Sequence, residues 1–222
     1  MGRLIDLRAA DGHALKAYVA EPAGPPRGAV VVVQEIFGVN GHIRSVADGY
    51  AADGYLVIAP AMFDRARRGY ESGYTQPEVQ AGVALMQKVS WDAAMNDASA
   101  AVAAVLRAGK VGMVGYCWGG AVTWLAAARV QGLAAAVPYY GGAIPSLNGE
   151  QPKCPTMLHF GEADASIPLN QARAVAKSHP DVTTHFYAAG HGFNCDQRAS
   201  YNAAAAKLAR ERTLAFFRKH VG

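Results

Sequence analysis

The sequence predicts an α/β fold of three layers, with a mostly parallel sheet between helices, and three observations carry that expectation. Solid apolar runs such as Ala29–Val33 (A-V-V-V-V) have the composition of strands buried on both faces, which parallel sheets require. Such runs alternate with amphipathic stretches along the chain, the pattern of strand–helix–strand crossovers. The beginning differs: two alternating apolar–polar segments flank Asp11-Gly12, the signature of an antiparallel hairpin. The 222 residues, 51% hydrophobic and 17% charged, suffice for one domain with a large core and argue against disorder.

Taken in order, Arg3–Arg8 and Ala14–Ala20 form the hairpin, and the Pro/Gly-rich Glu21–Gly28 is a loop. Ala29–Val33 is the first buried strand, and Gln34–Asn40 leaves its carboxyl end. A helical pattern runs through Ala52 to Asp53-Gly54, and Tyr55–Ala59 is the next strand. Pro60–Pro77 is irregular. Two helices follow, Glu78–Lys88 and Trp91–Arg107, the second with Met95, Ala98, Val102 and Val105 on one face. Val111–Val114 is a strand leading to a helix over Gly119–Arg129. Ala134–Tyr139, Thr156–Phe160 and Thr183–Tyr187 are further strands. Leu169–Ser178 and Ala199–Lys219 are helices, the last with Leu214, Phe217 and Val221 at core spacing.

Composition excludes several functions. The formal charge of +4 is mild, and no dense Lys/Arg stripe exists, so a nucleic-acid partner is not expected. No apolar run of membrane-spanning length and no leader-like apolar start occur, so a cytoplasmic protein without a membrane partner is expected. Three cysteines at unrelated spacings (Cys117, Cys154, Cys195) suit free thiols in a reducing compartment. No histidine pair has metal-ligand spacing, and neither metal nor cofactor is expected. The sequence leaves the oligomeric state open; a monomer is compatible with it.

The chemistry concentrates in Lys110–Gly120, K-V-G-M-V-G-Y-C-W-G-G. A strand ends in glycine, one nucleophile lies between Gly115 and Gly119, and a helix begins: a nucleophile elbow with sulfur in place of oxygen. The first N–H groups of that helix favour negative charge on the sulfur and on an oxyanion beside it. Downstream, Asp164 follows one strand in G-E-A-D and His191 follows another in A-G-H-G-F. Cys117, Asp164 and His191 thus occur in the order nucleophile, acid, histidine, each at a strand's carboxyl end, where sites on parallel sheets form. The blander alternatives are a buried inert Cys117 and an Asp164 serving as turn or helix cap. The other histidines have no comparable setting and read as surface or packing residues.

With Q-E-I-F-G-V-N at Gln34–Asn40, V-G-Y-C-W-G-G, G-E-A-D, A-G-H-G-F and the closing R-T-L-x-F-F helix, the chain resembles the dienelactone hydrolase family along essentially its whole length. The resemblance implies an α/β-hydrolase fold without a lid domain, and a cysteine hydrolase of lactones or esters that needs no cofactor. It implies a Cys117–His191–Asp164 triad with an oxyanion hole from the N–H groups of Ile36 and Trp118. It also implies that Glu35 contacts the resting thiol until substrate binds, since a carboxylate beside a cysteine disfavours the thiolate. The family's two substrate-binding arginines are not matched: their positions hold Cys195 and Ala81. Arg65, Arg67 and Arg68 are candidates for a replacement anion clamp, and a solvated basic loop is the alternative. Phe37, Trp118, Tyr140 and Phe193 are candidate pocket walls, with a core role also open for Tyr140. Two readings compete with lactone hydrolysis: a thioesterase or carboxylesterase for neutral substrates, and a redox-active thiol with Cys195 resolving Cys117.

Overall fold

The computed structural model describes residues 2–222. One eight-stranded sheet, in the order β1-β2-β4-β3-β5-β6-β7-β8, organises them. Strands β1 (Arg3–Arg8) and β2 (Ala14–Ala20) pair antiparallel, and β2 runs antiparallel to β4 (Leu56–Pro60). All remaining pairs are parallel, through β3 (Ala29–Val33), β5 (Val111–Tyr116), β6 (Leu133–Tyr139), β7 (Met157–Gly161) and β8 (Thr183–Tyr187). The central strands β3, β4 and β5 are buried at every residue, as their uninterrupted apolar runs require. Full burial of each valine in β3 is worth roughly 1.5–3 kcal/mol.

Six helices cover the sheet: α1 (Gly41–Ala52), α2 (Gln76–Met86), α3 (Trp91–Val105), α4 (Trp118–Arg129), α5 (Leu169–Ser178) and α6 (Ala203–His220). The sheet divides the core into two apolar clusters, one containing Ile43, Trp124 and Phe217 and the other containing Met95, Val102 and Leu125. None of the helices is long and apolar enough to cross a membrane.

Several element ends shift by one or two residues from the sequence reading, and two helix starts shift for identifiable local reasons. α2 begins two residues early, because the Glu78 carboxylate accepts from the Gly73 and Thr75 N–H groups and boxes the first turn. α6 begins four residues late: Asn202 caps it, its side chain accepting from Ala205 N–H at 3.0 Å. The buried stripe of α6 is Ala205, Ala209, Thr213 and Phe217, and Leu214 is only half-buried. The irregular Pro60–Pro77 segment carries a short 3₁₀ turn at Met62–Arg65 and otherwise has no helix before Gln76.

Candidate active site

The elbow forms where β5 hands over to α4. Cys117 takes φ +56° and ψ −117°, a sparsely populated positive-φ conformation that costs a residue with a Cβ roughly 1–3 kcal/mol. The flanking glycines make the turn possible. A Cβ on Gly115 would lie 2.0 Å from the Gly119 carbonyl oxygen, and one on Gly119 would lie 2.4 Å from that of Gln34. The turn presents the half-buried Cys117 at a cleft of about 580 Å³ above the carboxyl edge of the sheet. Ile36 and Trp118 line the same cleft, and their N–H groups donate to no described acceptor, so both are free for an oxyanion.

Asp164 is buried at the end of β7. Its Oδ1 accepts from the Ser166 and Ile167 N–H groups at 2.8 and 3.2 Å, and its Oδ2 lies 2.8 Å from His191 Nδ1. The turn role and the partner role are therefore both filled by one carboxylate. Burial pushes the His191 imidazole down, but the adjacent Cys117 sulfur and the Asp164 carboxylate outweigh it and raise its pKa to about 10. A protonated imidazole is thereby stabilised beside the sulfur, the arrangement in which a cysteine acts as a nucleophile.

Several candidate residues fall elsewhere. Arg65 is consumed by Asp97, to which Nε and Nη2 each donate at 2.8 Å, and by Asp11 at 2.8 Å from Nη1. Arg67 lies over the Tyr70 ring and Arg68 is exposed; none of the three lines the cleft. Their loop is turned toward the β1–β2 hairpin, which explains the failure of the clamp reading. Phe193 is a core residue between Tyr140 and Tyr187, with ring centroids 5.2 Å away in both cases. Tyr140 is fully buried behind the site, edge-on to His191 with ring centroids 5.2 Å apart, and does not line the cleft. Cys195 is also fully buried and outside the cleft lining; burial and the Glu35 carboxylate push its thiol up to about 11. Of the expected walls, Phe37 and Trp118 do line the cleft.

Glu35 is 1% exposed, and its Oε1 accepts from Arg198 Nη1 at 3.1 Å. Its Oε2 has no hydrogen-bond partner among the described residues, so the contact with the thiol is not made. Arg198 is the residue the sequence reading missed. It lines the cleft beside Cys117 and lies 5.6 Å from the Phe37 ring centroid. It returns there because two successive turns, Cys195 N–H to Gly192 O at 2.9 Å and Arg198 N–H to Cys195 O at 3.1 Å, fold the loop after His191 back on itself. Gly192 makes the room, since a Cβ there would stand 2.4 Å from Arg198 Nη1. The other missed wall is α2, which turns Val79, Val83 and Met86 into the cleft and leaves Ala81 on its exposed side. The apolar i, i+4, i+7 spacing was the available signal.

Known proteins similar to this chain indicate its family. The sequence profile of the dienelactone hydrolase family matches residues 15–221. A carboxymethylenebutenolidase of Pseudomonas putida is 32% identical over 223 residues, spanning 96% of this chain and 94% of its own. A presumptive dienelactone hydrolase from Klebsiella pneumoniae superposes with a TM-score of 0.85 at 30% identity, over 98% of this chain and 100% of that one. A dienelactone hydrolase-like promiscuous phosphotriesterase from metagenomic libraries, at 20% identity and TM-score 0.82, shares the fold over 100% of this chain and 99% of its own. With its mostly parallel sheet, its strained turn at Cys117 and these relatives, the chain belongs to the dienelactone hydrolase family, hydrolases of lactones and esters.

Proposed function

We propose that the protein cleaves a small carboxylate-bearing lactone or ester by acyl transfer to the Cys117 sulfur. The observation that carries the reading is the positive-φ elbow that sets Cys117 beside a histidine whose other nitrogen lies 2.8 Å from a buried aspartate. The thiolate attacks the carbonyl, and the oxyanion rests on the Ile36 and Trp118 N–H groups. The tetrahedral adduct collapses, His191 protonates the leaving oxygen, and an acyl-thioester remains. His191 then takes a proton from water, which releases the acid and restores the thiol–imidazole pair. Asp164 holds the imidazole in one tautomer throughout.

Arg198 supports the anionic substrate class. Apart from the His191 imidazole, it is the one basic side chain among the described residues that line the cleft, amid apolar walls. A substrate carboxylate that takes the guanidinium competes with Glu35 for it and frees that residue to move toward the sulfur. Neutral esters are the second reading, favoured by the Val79, Val83 and Met86 wall. Turnover of dienelactone against a panel of p-nitrophenyl esters and thioesters separates the two. Cys117→Ala is expected to abolish hydrolysis of every ester tested; activity persisting in a preparation free of other esterases refutes the mechanism.

A further inference from the structure

Behind the cleft, three side chains far apart in sequence converge. Glu35 leaves β3, His42 is the second residue of α1, and Cys195 sits in the folded-back loop after His191. One ligand atom of each lies within 4.8 Å of the other two, and the residues are 1%, 4% and 0% exposed. Residue spacing could not have revealed the group, because its members come from positions 35, 42 and 195.

Two polar atoms of these residues are buried without a use. Glu35 Oε2 and His42 Nε2 have no hydrogen-bond partner among the described residues, although Glu35 Oε1 and His42 Nδ1 both do. Native structures rarely leave buried polar atoms unpaired, and each such atom asks for a ligand. His42 is also prepared for one. Its Nδ1 lies 3.2 Å from Asp196 Oδ1, so the proton resides on Nδ1, which leaves a bare lone pair on the buried, unpartnered Nε2. A carboxylate fixing a histidine by its far nitrogen is the recurrent support of metal-ligating imidazoles.

We infer that Glu35 Oε2, His42 Nε2 and Cys195 Sγ form a binding site for a zinc-like divalent cation. The donor set of one thiolate, one imidazole and one carboxylate suits zinc. In a tetrahedral zinc site neighbouring donors stand about 3.6 Å apart, from bond lengths of roughly 2.0–2.3 Å, so a modest contraction completes the geometry. Thiolate and carboxylate charges together neutralise the dication, and the thiol gives up its proton as the sulfur–metal bond forms. The cation leaves Arg198 its bond to Glu35 Oε1.

The test uses the Cys117→Ala protein, which removes the Cys117–His191 thiol–imidazole pair of the cleft as a competing site. Titration with zinc against a chromophoric chelator is expected to show one ion bound per chain. Cobalt is expected to give a thiolate-to-metal charge-transfer band. Cys195→Ser should abolish the band, and His42→Ala should weaken zinc binding at least tenfold, with near-native circular dichroism as the folding check. Asp196→Asn, on a largely exposed side chain, should weaken binding about tenfold without affecting folding. Absence of zinc binding in the Cys117→Ala protein overturns the site. So does binding that Cys195→Ser and Asp196→Asn leave unchanged.

Discussion

Two partly buried arginines face carboxylates in this molecule, and their difference separates scaffold from site. Arg65 spends all three of its nitrogens on Asp97 and Asp11, which ties the β1–β2 turn to α3. The Arg198 guanidinium makes one hydrogen bond among the described residues, to Glu35, at the edge of an apolar cleft. A saturated guanidinium has nothing left to offer a ligand. An unsaturated one beside a nucleophile keeps donors in a fork that matches a carboxylate. Position in the sequence points to Arg65; hydrogen-bond capacity points to Arg198.

The largest effect expected from this contrast is on stability. Arg65→Gln strands the fully buried Asp97 and should lower unfolding free energy by about 3–5 kcal/mol in urea melts. In the remaining folded protein, the Michaelis constant should stay near that of the parent. Arg198→Gln should do the reverse. The Michaelis constant for a carboxylate-bearing lactone should rise about 10–100-fold, the loss of a charge-assisted hydrogen bond, while neutral p-nitrophenyl esters are spared. An equal rise for both substrates would remove Arg198 from carboxylate recognition.

Alkaline pH sharpens the comparison. Both arginines are held above their already high ordinary pKa, so neither titrates near pH 10. An alkaline limb near 10 in the hydrolysis rate therefore belongs to His191, whose pKa lies at about 10. Above it the rate should fall about tenfold per pH unit, and Asp164→Asn should move the limb downward. Because the folded pKa lies above the ordinary value of about 6.5, the stability this histidine contributes is complete below pH ~6.5 and is lost as pH rises through about 10.

The smallest effect concerns the room made for Arg198. Gly192 has φ +77° and a forbidden Cβ position 2.4 Å from the guanidinium. Gly192→Ala should cost about 1 kcal/mol in stability and weaken carboxylate discrimination several-fold, less than Arg198→Gln does. A larger loss than in Arg198→Gln would mean that Gly192 acts through His191 instead.

Much of this was legible because local chemistry marks it. The hairpin, β3, α5 and β8 have the bounds that alternation, apolar runs and Gly/Pro punctuation indicate. Cys117, Asp164 and His191 could be picked out because each lies in a short motif at a strand end. What escaped depends on distant partners. Asp11 and Asp97 stand 54 and 32 residues from Arg65, and nothing local announces that they claim it. Arg198 lies only seven residues beyond His191, yet its return to the cleft requires two turns and a glycine that no periodicity records. The caps Thr75, Glu78 and Asn202 were readable in principle, and they set the two helix starts that were misplaced.

The central claim is that acyl transfer passes through sulfur. A slowly deacylating ester, quenched in acid within the first turnover and followed by peptide mass analysis, tests it directly. The expected result is one acyl group per chain, carried by the peptide containing Cys117 and labile to hydroxylamine. An acyl group found instead on Ser166, which lines the same cleft, or full turnover with no adduct on Cys117 in a deacylation-limited reaction, would contradict it.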